Sequence, residues 1–153
     1  MNVQTIDAIK EGDTLAEILA SGALFPLVVT GYSMIPFLKE GRDTVYLQKT
    51  DRFYKGQIIF FRRTSNEFIL HRIRKIYPDG KLLVNGDAQS WCEIIRQEQV
   101  LAEVLYISKN GRRIDPKSGL FPLLGALWYP TKPLRPLIWR CYGRIRQVFK
   151  RKQ

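Results

Sequence analysis

Ser33, His71 and Asp87 are the residues whose types and spacing could do chemistry. Ser33 lies in Gly31-Tyr32-Ser33-Met34-Ile35-Pro36-Phe37-Leu38, between the apolar run Phe25 to Thr30 and the turn Lys39-Glu40-Gly41-Arg42-Asp43. His71, the one histidine of the chain, lies in the strand-like run Phe68-Ile69-Leu70-His71-Arg72-Ile73. Asp87 ends the turn Asn85-Gly86-Asp87, directly after Lys81-Leu82-Leu83-Val84. A serine hydroxyl is a weak nucleophile until a base takes its proton, and imidazole, with an unperturbed pKa of ~6.5, does so near neutral pH. An acid beside the imidazole fixes its tautomer and stabilises the imidazolium. Serine, histidine and acid in this order, each near a strand end, predict the nucleophilic triad of a serine peptidase.

Short strands must position these side chains. Asp13-Thr14-Leu15-Ala16-Glu17 reads as a capping box opening a short helix, with Leu15, Ile18 and Leu19 on its inner face and Gly22 as its stop. Phe25 to Thr30 reads as a strand delivering Ser33 to a turn. Asp43 caps the following turn and begins the alternating run Asp43 to Leu47. Lys55-Gly56-Gln57 turns into the strand Ile58 to Phe61. Asn66-Glu67 connects to Phe68 to Ile76, where alternation places His71 on one face with Ile69 and Ile73. Tyr77-Pro78-Asp79-Gly80 turns into Lys81 to Asn85. Val100 to Ile107 reads as the last core strand, closed by Asn110-Gly111, with Trp91, Cys92 and Glu93 left in a loop. This pattern predicts a mainly β, barrel-like core over residues 25–108 in one domain of residues 1–115, with residues 116–153 as an extension.

The 153 residues carry a net charge of +11, and no acidic residue follows Asp115. That tail holds Lys117, Lys132, Arg135, Arg140, Arg144, Arg146, Lys150, Arg151 and Lys152. Leu134, Leu137, Ile138, Cys141, Ile145, Val148 and Phe149 recur at three and four residues, predicting a basic amphipathic helix. An anionic membrane surface is the expected partner, with Trp128, Tyr129 and Trp139 near headgroup level. A helix packed on its own domain is the competing expectation. No nucleic-acid-binding module accompanies the charge, so nucleic acid is the weaker partner. Two cysteines, Cys92 and Cys141, make no disulfide framework, and with one histidine they argue against structural zinc. No metal or organic cofactor is expected. No run reaches the ~18 apolar residues of a spanning helix, and Leu15 to Val29, the nearest, lacks the basic start and small-residue cleavage site of an export signal, so cytoplasmic residence with peripheral membrane attachment is expected.

The segment around Ser33, Met34, Pro36 and Asp43 resembles the serine box of the signal peptidase I and LexA-like peptidase superfamily. Lys55-Gly56-Gln57-Ile58-Ile59-Phe60 resembles its next box, with Gln57 where an acid is usual. Leu70-His71-Arg72-Ile73 resembles the base box of the histidine-type branch, and Val84-Asn85-Gly86-Asp87 the Gly-Asp box. The resemblance covers Phe25 to Ser108 and is closest to small bacterial forms without a transmembrane anchor. It implies a serine endopeptidase with Ser33 as nucleophile and His71 as base. It also implies that an acid a few residues beyond the Gly-Asp box orients the histidine, a place matched by Glu93, so the third member lies between Asp87 and Glu93. The implied substrates are leader or signal-like peptides, cut after a small residue. Gly31 has no hydroxyl to offer an oxyanion, which leaves that role to backbone amides, starting with that of Ser33. The altered acid box and Gly31 also fit an inactive peptide- or membrane-binding module on the same fold. Self-cleavage, as in LexA-like regulators, is a third reading, weakened by a base that is not lysine.

Overall fold

The computed structural model of the chain describes residues 11–140. One helix, α1 (Glu11–Ala20), precedes eight strands: β1 (Phe25–Val28), β2 (Asp43–Gln48), β3 (Ile58–Arg62), β4 (Phe68–Ile76), β5 (Leu82–Asn85), β6 (Glu93–Ile95), β7 (Val100–Lys109) and β8 (Arg112–Ile114). A second helix, α2 (Leu120–Trp128), runs into a 3-10 turn at Tyr129–Leu134, and residues 135–140 are again helical. The expected mainly β fold is present. Its strands form one antiparallel sheet in the order β1-β2-β7-β3-β4-β5-β6, with β8 paired to β7.

Sheet order follows from side-chain period. β3 is central, and Ile58, Ile59, Phe60 and Phe61 are all buried. Successive strand residues point to opposite faces, so β3 feeds two cores. Ile58 and Phe60 join Val45, Leu47, Val104 and Ile107, under Leu15 and Leu19 of α1. Ile59 and Phe61 join Ile73, Leu82, Val84 and Ile95 on the other face. Pro26 is tolerated because β1 lies at one end of the strand order, where a missing N–H breaks no inner ladder.

Several local expectations need correction. Thr14 lies inside α1, which begins by Glu11, so it is not the cap of that helix. Leu15 and Leu19 are buried but Ile18 is exposed. Gly22 does end the helix, with φ +81°. Asn110 and Gly111 both have positive φ, the requirement of a tight hairpin, so they turn the chain back into β8 rather than closing the sheet. Glu93 is not in a loop: it opens β6. The repeat at Cys141, Ile145, Val148 and Phe149, with Arg144 and Arg151, lies outside the described residues.

Phe61 is fully buried, and its ring meets the His71 imidazole edge-on at 5.9 Å between centroids. Phe61→Ala should therefore lower unfolding free energy by about 3–5 kcal/mol, read from the midpoint of urea denaturation.

Candidate active site

Ser33 sits in the turn between β1 and β2. Its neighbour Met34 is buried in the core, as is Leu38, whose amide donates to the Met34 carbonyl at 2.9 Å. These two side chains pin the segment while Ser33 remains partly exposed. The Ile35–Pro36 peptide is cis. Gly31 has φ +76°, a conformation that favours glycine, and its amide donates to Glu40 Oε1 at 3.0 Å. Backbone geometry therefore accounts for the lack of a hydroxyl at that position.

The Gly-Asp turn meets the serine segment through main chain. The Ala88 amide donates to the Ser33 carbonyl at 2.7 Å. A Cβ on Gly86 would lie 2.7 Å from that same carbonyl oxygen, so only glycine lets the two segments approach this closely. Beside them is a cleft of about 1070 Å³ lined by Ser33, Ile35 and Pro36, by Ala88, and by Trp128 and Trp139 of the C-terminal segment, among others. His71, almost wholly buried, adds no wall to it.

His71 lies in β4 opposite Ile59 of β3. Its acid comes from two strands away. In the sheet register Ile73 faces Val84, and Val84 faces Glu93. Cross-strand partners share a face, and His71 and Ile73 share one because they are two apart. Glu93 therefore falls on the face of His71, with Oε1 3.1 Å from Nδ1. Distance and alignment disagree here, for the ring N–H does not point well at the oxygen. The contact thus acts mainly through charge. Arg63 grips the same carboxylate with two nitrogens, Nε–Oε2 at 2.8 Å and Nη2–Oε1 at 2.7 Å. Arg63 also lies over the Trp91 ring, which meets His71 edge-on.

Asp87 is placed differently. It is fully buried on the opposite face, where Arg72 donates from Nη2 at 2.8 Å and Arg74 from Nη2 at 2.6 Å. Its oxygens are thus taken by guanidinium groups, while Glu93 stands at the imidazole. Gln57, where an acid was expected, is a buried bridge: it donates to Glu103 Oε2 at 2.9 Å and to the Arg52 carbonyl at 3.1 Å. A carboxylate there would face that of Glu103, which Lys117 also contacts at 3.0 Å.

The C-terminal segment packs onto the Gly-Asp turn. Trp128 Nε1 donates to the Asp87 carbonyl at 2.6 Å, and Trp139 Nε1 to that of Ala88 at 2.9 Å. Arg135, one of the cations counted in the basic tail, is fully buried and donates to Asn85 Oδ1 at 3.0 Å and to the Gln89 carbonyl. The N–H groups of the two indoles are thus tied to the turn. No sequence pattern announced these contacts, which join residues far apart in the chain.

Burial lowers the His71 pKa from 6.5 to about 4; the charge of Glu93 pulls it up and that of Arg63 pushes it down. The imidazole is thus neutral at neutral pH. As pH falls from 6.5 towards about 4, the unfolded chain takes up this proton before the folded one does, so stability falls across that window. The loss should total on the order of 3 kcal/mol, and denaturation midpoints against pH should show it in the wild type but not in His71→Gln. Asp87→Ala strands two buried guanidinium groups and should destabilise the fold by about 3–5 kcal/mol in the same assay.

A family model described as Peptidase S24-like matches residues 2–104, a span that takes in Ser33, His71, Asp87 and Glu93 and stops short of α2. Neither the curated proteins nor the solved structures give a match. The matched span is well over half the chain, with a mainly β fold to accord with it. The chain therefore belongs to the Peptidase S24-like family, within the LexA- and signal-peptidase-like superfamily of serine peptidases.

Proposed function

We propose that the protein is a serine endopeptidase in which Ser33 is the nucleophile, His71 the general base and Glu93 the acid that orients it. The observation that carries this reading is the Glu93 carboxylate 3.1 Å from His71 Nδ1. With Nδ1 facing the acid, Nε2 is the nitrogen left to take the Ser33 proton and later hand it to the leaving amine. As the imidazolium forms, Glu93 stabilises it and Arg63 keeps the carboxylate in place. Asp87 serves the reaction indirectly, by holding the turn against which Ser33 rests. The Ser33 amide begins the oxyanion hole. Edge strand β1 leads directly to Ser33, which suits an extended peptide read by its backbone. Leader or signal-like peptides, with a small residue before the cut, are the substrate class.

One observation favours a second reading, an inactive peptide-binding module on the same fold. His71 is almost fully buried, off the cleft wall, and a base with a pKa of about 4 is a weak proton acceptor. Turnover separates the two. Incubation with leader-like peptides, followed by mass spectrometry, should yield discrete products. Ser33→Ala should slow the reaction about a thousandfold or more, and Glu93→Gln about a hundredfold or more. Binding without products, or equal rates in Ser33→Ala, would select the module.

A further inference from the structure

We infer that α2 and the segment after it form a docking face for an anionic lipid surface, independently of whether the site turns over. The inner face of α2 is committed to the domain. Phe121 packs against Phe37 edge-on at 5.6 Å, and Gly125 lies so near the Arg72 guanidinium that a Cβ would come within 3.2 Å of it. The outer face should then be polar if it met only water. It is leucine instead. Leu120, Leu123, Leu124 and Leu127 fall at the i, i+3, i+4, i+7 spacing of one helical face, and their exposures lie between 50% and 70%. Leu134 and Leu137 extend the exposed apolar surface at 57% and 60%. Six exposed leucines within 18 residues are not the scattered apolar residues normal on a soluble surface.

Charge chooses the occupant. From Pro116 to Gln153 there are nine Lys and Arg and no Asp or Glu. Exposed Arg140 follows Leu137 by one helical turn. Arg135 is withdrawn into the domain and Lys117 is paired with Glu103 at 3.0 Å, so the lipid attraction falls to Arg140, Lys132 and the basic residues later in the sequence. Apolar side chains beside cations are what an interfacial segment needs to enter the headgroup boundary of an anionic leaflet. No helix among the described residues is long and apolar enough to cross a membrane, so this face would lie on the surface. Trp128 and Trp139 come from the same segment and line the cleft, so docking would bring the cleft close to lipid.

The test is flotation of the full chain with vesicles of phosphatidylcholine alone or mixed with phosphatidylglycerol. The wild type should float with the anionic vesicles, less so at high salt, and stay behind with the neutral ones. The double variant Leu123→Asn/Leu127→Asn should reduce recovery at least about tenfold without moving the melting temperature, since both side chains are exposed. Arg140→Glu should weaken recovery on anionic vesicles alone. Failure of the wild type to float, or equal recovery of the double variant, overturns the proposal. So does a dimer that the leucine substitutions dissociate while neither protein floats, for then a second copy covers the face.

Discussion

A fully buried carboxylate held between two arginines organises this structure. Asp87 cannot be charged and dry without Arg72 and Arg74, and they cannot be buried without it. Their mutual requirement fixes the Gly-Asp turn against β4. The serine segment and the C-terminal segment attach to that turn's main chain: the Ser33 carbonyl on the Ala88 amide, the Trp128 and Trp139 indoles on the Asp87 and Ala88 carbonyls. Buried Arg135 completes the clasp from the C-terminal side. The C-terminal segment, outside the span of the family match, is thus structurally part of the site.

The two acids are separated by the pleat of the sheet. Arg72 and Arg74 project from one face of β4 to meet Asp87, and His71 projects from the other to meet Glu93. Arg63 holds the Glu93 carboxylate in place beside the ring, and its own charge opposes one on His71. Burial, with the Arg63 charge added to it, keeps the imidazole neutral at neutral pH. Such an arrangement favours the imidazolium only where a carboxylate already waits for it.

Much of this was legible in the residue order because it is local. Alternation in Phe68 to Ile76 placed His71 on the face of Ile69 and Ile73, and the apolar run before Gly31 placed Ser33 at a strand mouth. The same alternation puts Arg72 and Arg74 together on the other side of that strand, where the structure shows them meeting Asp87. Glu93 was harder to place in the fold. β6 is three residues long, and its relation to His71 runs through β5, so nothing local in Glu93-Ile94-Ile95 reveals it. Arg135 was hidden for another reason. Composition counts it as a surface cation, but its partners are Asn85 and backbone carbonyls some fifty residues away. Asn110-Gly111 did contain its answer, since paired positive φ values mean a hairpin, and β8 follows.

The central claim is that the Glu93 carboxylate at Nδ1 raises the His71 pKa against the burial that lowers it. Because His71 is the one histidine of the chain, a proton NMR titration follows a single imidazole without assignment. The account predicts a midpoint near pH 4 in the wild type, or a ring that stays neutral until acid unfolding, and a still lower midpoint in Glu93→Gln, where a charge that raises the pKa is gone. A midpoint close to 6.5 that Glu93→Gln leaves in place would contradict it.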